Sequence, residues 1–145
     1  MADVNGDGRL DLVTANALSG DVSVLLGRGF GIFDQESRFA VGFFPTRLNV
    51  VDVNGDGRLD LVTASAFLDD ISVLLGHGDG TFAEQVPFAV GDAPTAFNVS
   101  DVNGDGRLDL VTVNYKSNDV SVLLGRGDGT FTAQARFAVG SYPLS

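Results

Sequence analysis

The chain has no cysteine, which excludes disulfides, thiolate zinc sites and a cysteine nucleophile without fixing the compartment. Its only histidine is His77, so the recurring serines Ser23, Ser72 and Ser121 have no imidazole to activate them. No apolar run approaches the length of a membrane-spanning helix, and no charged-then-apolar leader precedes Ala2. Any export signal is therefore expected to lie outside this chain. Helical patterning is missing as well: no window keeps an apolar period of 3.6 over ten residues. Basic residues are scarce, nine against 19 acidic ones in 145 residues, for a formal charge of -10. That balance argues against nucleic acid and against an anionic membrane surface as partners. The 44% hydrophobic content is enough for a core.

The acidity is concentrated. DVNGDGRLD runs from Asp3 to Asp11 and returns unchanged at Asp52–Asp60 and Asp101–Asp109. Positions one, three, five and nine of each copy carry side-chain oxygens: Asp3, Asn5, Asp7 and Asp11; Asp52, Asn54, Asp56 and Asp60; Asp101, Asn103, Asp105 and Asp109. Hard oxygens at that spacing suit calcium, and the backbone carbonyls of Arg9, Arg58 and Arg107 at position seven would add a ligand each. Gly8, Gly57 and Gly106 fall where such a loop turns sharply and needs positive φ. The competing reading is a turn whose Asp and Asn side chains cap backbone groups without a metal. Unrelieved repulsion among the carboxylates weighs against it.

The motif heads a 49-residue internal repeat, at 3–51, 52–100 and 101–145. After each loop comes LDLVT at Leu10, Leu59 or Leu108, then a divergent polar stretch, then a β-branched run from Val22, Ile71 or Val120. A glycine-rich turn leads to FAVG at Phe39, Phe88 or Phe137, and a Pro-containing turn at Pro45 or Pro94 leads to the strand before the next loop. Short β-branched runs punctuated by Gly, Asn, Asp and Pro read as strands and turns. Both parities of these strands are apolar, so the sheets are expected to be covered on both faces. Four antiparallel strands per repeat of this length predict an all-β fold of β-propeller blades.

The run DVNGDGRLDLVTAN…DVSVLLGRGDGTF resembles the FG-GAP or VCBS repeat family, best known from the integrin alpha-subunit propeller and many secreted bacterial proteins. The resemblance covers essentially the whole chain. It implies that each acidic loop joins a blade's first and second strands and binds calcium at the positions named above, up to three ions in all. It also implies an extracellular or cell-surface protein that binds proteins in interaction or adhesion and has no catalysis of its own. The alternatives are a lectin-like carbohydrate binder or an accessory domain of a larger secreted enzyme. The first copy departs from the pattern at its glycine turn, where Phe30 and Ile32 replace Asp79 and Thr81.

An EF-hand opens with the same residues but requires Glu at position twelve and a helix behind it. Here that position is Thr14, Thr63 or Thr112, followed by β-formers. Arg126-Gly127-Asp128 spells a tripeptide that integrin-type receptors bind. The second copy has His77-Gly78-Asp79 at the same place, so the need for a glycine turn explains the string. In an up-and-down blade, the acidic loops and glycine turns share one face. The divergent turns (17–19, 66–68, 115–117), with Phe43, Phe44 and Tyr142, share the other. Aromatics there either stack on a ligand or pack against the adjacent blade. Propellers typically have about 4–8 blades. Three repeats are expected to need either a second chain, giving six blades, or blades of a longer parent chain. The chain starts after the strand that should enter its first loop, and Pro143-Leu144-Ser145 aligns with the start of another.

Overall fold

The computed structural model describes residues 1–144. Ser145, the last residue of the expected terminal strand start, lies outside the described residues. The fold is all-β, with thirteen strands among the described residues: β1 (Leu12–Asn16), β2 (Asp21–Leu25), β3 (Gly27–Gly29), β4 (Ile32–Phe33), β5 (Ser37–Ala40), β6 (Pro45–Val51), β7 (Asp60–Ser65), β8 (Asp70–Leu74), β9 (Val86–Ala89), β10 (Pro94–Ser100), β11 (Asp109–Asn114), β12 (Asp119–Leu123) and β13 (Ala135–Ala138). They form two four-stranded antiparallel meanders, β6-β7-β8-β9 and β10-β11-β12-β13, and a three-stranded sheet, β1-β2-β5. These are three propeller-type blades, and the ring is not closed. In the second and third blades the acidic loop joins the first strand to the second, as the family resemblance implies. In the first blade the place of that strand is marked by a single bridge, Ala2 to Asp11.

Blades stack through two apolar layers that repeat each other at a 49-residue step. The first holds Val4, Val22, Val24 and Val41 of the first blade against Leu61, Leu74 and Phe82 of the second. The second holds Val53, Ile71, Val73 and Val90 against Leu110, Leu123 and Phe131. Alternate residues of a strand point to opposite faces, so one blade supplies one half of each layer with Val62 and Val73 and the other half with Leu61 and Leu74. β7 is accordingly buried at all six positions. β11, in the end blade, alternates between buried and half-buried residues. Coverage of both faces therefore holds for the middle blade alone, because each end blade has one neighbour.

Each layer is pinned by an edge-to-face aromatic pair. Phe39 meets Phe82 and Phe88 meets Phe131, both with centroids 5.2 Å apart, a favoured arrangement of ring quadrupoles.

The departures of the first repeat have a local consequence. In the second copy Asp79 Oδ1 accepts from the Thr81 N–H at 2.9 Å and hydroxyl at 2.6 Å. With Phe30 and Ile32 in place of those residues, the turn closes instead as a small ribbon, β3 paired with β4. Its tip, Phe30-Gly31, has positive φ at both residues, the twist that suits a two-residue hairpin.

Candidate functional site

The three acidic loops adopt one conformation. In the second, Asp52 closes the turn on itself: Gly55 N–H donates to Oδ1 at 2.7 Å and Gly57 N–H to Oδ2 at 2.8 Å. Asp56 N–H donates to Asn54 Oδ1 at 3.1 Å, and Arg58 N–H to Asp56 Oδ1 at 2.8 Å. Asp3 and Asp101 repeat the pattern with Gly6, Gly8, Gly104 and Gly106. Gly8, Gly57 and Gly106 have φ of 84°, 83° and 83°, the conformation expected of them. The backbone N–H of Arg58, then the Asn54 side chain, hold the Asp56 carboxyl below its usual range. Asp101 is lowered mainly by the Gly106 N–H and Asp105 by the Arg107 N–H.

Position nine behaves differently. Asp11, Asp60 and Asp109 are fully buried. Asp60 Oδ2 accepts from Val53 N–H at 2.9 Å and Oδ1 from Gly76 N–H at 2.8 Å, and the other two copies do the same. Burial raises the Asp60 pKa; the two N–H donors oppose it, and the charges of Asp56 and Asp52 add to it. Three carboxylates of one loop thus lie close enough to repel. Among the described residues, no group of three acidic or imidazole side chains is gathered tightly enough to hold a metal ion.

The donor set nevertheless fits a hard cation chemically. Asp52, Asn54 and Asp56 sit on the open turn; the Gly55 and Asp56 N–H groups both donate to Asp52 Oδ1, but Oδ2 accepts from Gly57 and keeps a second lone pair. The position-seven arginines have a role not read from the sequence. The Arg9, Arg58 and Arg107 guanidinium groups approach Asp7, Asp56 and Asp105 at 3.4, 4.0 and 2.6 Å, partly neutralising the loop. Their invariable place two residues after the aspartate was the available signal.

Asp52, Asn54, Gly106, Arg107 and Gly127 line one cleft of about 260 Å³ between neighbouring blades. Acidic loops and glycine turns therefore share a face. His77 and Arg126 are exposed in those glycine turns. On the opposite side, Phe43, Phe44 and Phe67 form a cluster with centroids 5.0–6.1 Å apart. Tyr115 meets Tyr142 at 5.2 Å. The turn after the first blade thus packs on the second blade's turn, whereas Tyr142 packs on its own blade's turn; Phe43, Phe67 and Tyr142 keep more than half their surface exposed.

A buried polar chain crosses the first and third blades, and sequence reading missed it. In the third, Asn114 donates to Asp119 and Ser121, and Ser121 donates to Gln134 Oε1 at 2.6 Å. Arg136 and Ser117 complete the shell of Asp119. Burial pushes the Asp119 carboxyl up, but these donors outweigh it and hold it below its usual range. In the second blade Ser65, Leu68 and Pro87 stand where Asn114, Ser117 and Arg136 do. Asp70 Oδ1 and Thr63 Oγ1 are left buried without a partner.

The FG-GAP-like repeat matches residues 3–63, 52–112 and 101–145, and the chain belongs to that family. Among solved structures it is similar to a lectin of Agrocybe aegerita, studied for specific recognition of non-reducing terminal N-acetylglucosamine. The TM-score is 0.68 at 24% identity, over 92% of this chain and 36% of the lectin. It is also similar to part of the Tc holotoxin pore of Photorhabdus luminescens, with a TM-score of 0.57 at 22% identity, over 96% of this chain and 7% of that one. The chain thus spans about a third of the lectin and under a tenth of the toxin component. No curated protein matches. At these identities the two structures bear on the fold alone.

Proposed function

We propose that the chain is a calcium-stabilised β-propeller segment that binds partner proteins in interaction or adhesion outside the cell, with no catalysis of its own. The observation that carries this reading is the division of the molecule into two faces. One presents three copies of a single oxygen-rich loop. The other presents turns that differ from blade to blade and hold the exposed aromatics Phe43, Phe67 and Tyr142. A uniform frame with variable loops on one side is a common division of labour in binding folds. Calcium would be held by Asp52, Asn54, Asp56, the Arg58 carbonyl and Asp60, and by their equivalents. Bound there, it would offset the repulsion that Asp56 and Asp52 exert on Asp60.

A carbohydrate-binding reading is second, supported by the likeness to a lectin and by exposed rings able to stack on sugars. A place as the accessory domain of a larger secreted enzyme is third. The first and last blades are to be completed by further blades, from a second copy or from a parent chain. Pull-down against extracellular proteins, in parallel with a glycan array, separates the readings. Glycan binding that Phe67→Ala abolishes would replace the first reading with the second.

A further inference from the structure

The two ends of the stack carry matching halves of an interface that the molecule already makes twice. Val53 is 4% exposed and its third-blade equivalent Val102 is 51%; Val90 is 6% and Val139 is 43%. The pair Phe39–Phe82 recurs 49 residues on as Phe88–Phe131. One further step gives Phe137, 56% exposed on β13. One step back from Phe82 gives Phe33, on β4 of the first blade and only half-buried. A second register agrees. A β-carbon on Gly80 would stand 2.7 Å from Leu26, and one on Gly129 2.7 Å from Leu75, so each glycine seats a leucine of the preceding blade. Gly31 has nothing within 4 Å of that position, and Leu124, the next leucine in the series, is exposed. The glycine without a leucine and the leucine without a glycine lie at opposite ends.

We propose that the third-blade face of one chain docks on the first-blade face of a second copy, setting Phe137 against Phe33 and Leu124 over Gly31. The contact is heterologous: the two surfaces differ, and each chain carries one of both. The proposal rests on the blade reading of the fold but not on calcium, so it stands or falls whether or not the loops bind metal.

Sedimentation of the full 145-residue chain at several concentrations, in calcium and in chelator, should show concentration-dependent association. Phe137→Asp and Phe33→Asp should each be monomeric. Mixing the two variants should restore dimers, because one junction then joins two unaltered faces. Circular dichroism reports whether each variant is folded. Leu10→Asp, at an exposed first-blade position, replaces Phe33→Asp if that variant unfolds. A wild-type chain that stays monomeric throughout would overturn the proposal. So would dimers that survive either single substitution, which would mean like faces pairing with like.

Discussion

Asp60 reaches across 16 residues to accept the backbone N–H of Gly76 at 2.8 Å, while its other oxygen holds Val53. The last residue of the acidic loop is thereby fastened to the start of the glycine turn. A β-carbon on Gly76 would sit 2.1 Å from the Leu59 carbonyl oxygen, so the approach also needs glycine.

Asp60→Ala leaves two buried N–H groups without acceptors, each costing about 1–3 kcal/mol. Denaturant unfolding should show a loss of about 2–4 kcal/mol. Asp60→Asn, which keeps one acceptor, should fall between that variant and wild type.

Asp70 makes the middle blade sensitive to pH. Burial, then the neighbouring Asp69 charge, raises its pKa. A raised carboxyl contributes stability that is fully present below the ordinary carboxylate range and is lost as pH rises through its folded value. Pro87→Arg restores the cation that Arg136 gives Asp119. At neutral pH it should add about 0.5–1 kcal/mol, in the range of partly exposed pairs. That gain should shrink towards zero in acid, and a pH series of thermal melts reads both features. A gain that persists with Asp70 protonated would have another origin.

If the loops bind calcium with dissociation constants of about 0.1–1 mM, as extracellular modules do, millimolar ion should stabilise each by about 0.4–1.4 kcal/mol. The melting temperature should rise with calcium and much less with magnesium. Titration calorimetry of Asp56→Ala should show one site fewer. Identical melts in chelator and in calcium would count decisively against a metal role.

The Arg126-Gly127-Asp128 turn should not be a recognition motif. Asp128 Oδ1 is engaged by the N–H and hydroxyl of Thr130 at 2.9 and 2.6 Å, the arrangement found at Asp79. Arg126→His copies the second repeat and should leave melting and partner binding unchanged. Loss of cell attachment in that variant would assign the tripeptide a role.

Much of the fold was legible because each repeat states its strands with β-branched runs and its turns with glycine. Three aligned copies let the pattern be read three times over. The face shared by acidic loops and glycine turns followed from strand alternation alone. The engagement of Asp60 did not, since a carboxylate nine residues into an oxygen-rich loop looks like a ligand whichever way it points. The polar chains were hidden for a related reason. Ser121 and Gln134 are 13 residues apart, and only strand pairing brings them together. The difference between Ser65 and Asn114 is visible in the sequence, but its effect on Asp70 depends on three contacts that no local pattern records.

That difference bears on how nearly identical repeats avoid exchanging parts while they fold, a characteristic failure of such chains. Apolar residues alone would let a strand of one copy settle in another, because valine meets valine in every blade. The polar chains discriminate. A β9 strand placed in the third blade would set Pro87 where Arg136 belongs and strip Asp119 of its cation. In the second blade Asp70 has no arginine to lose. The exchange is therefore disfavoured from the third blade's side, where Asp119 would lose the guanidinium that holds it.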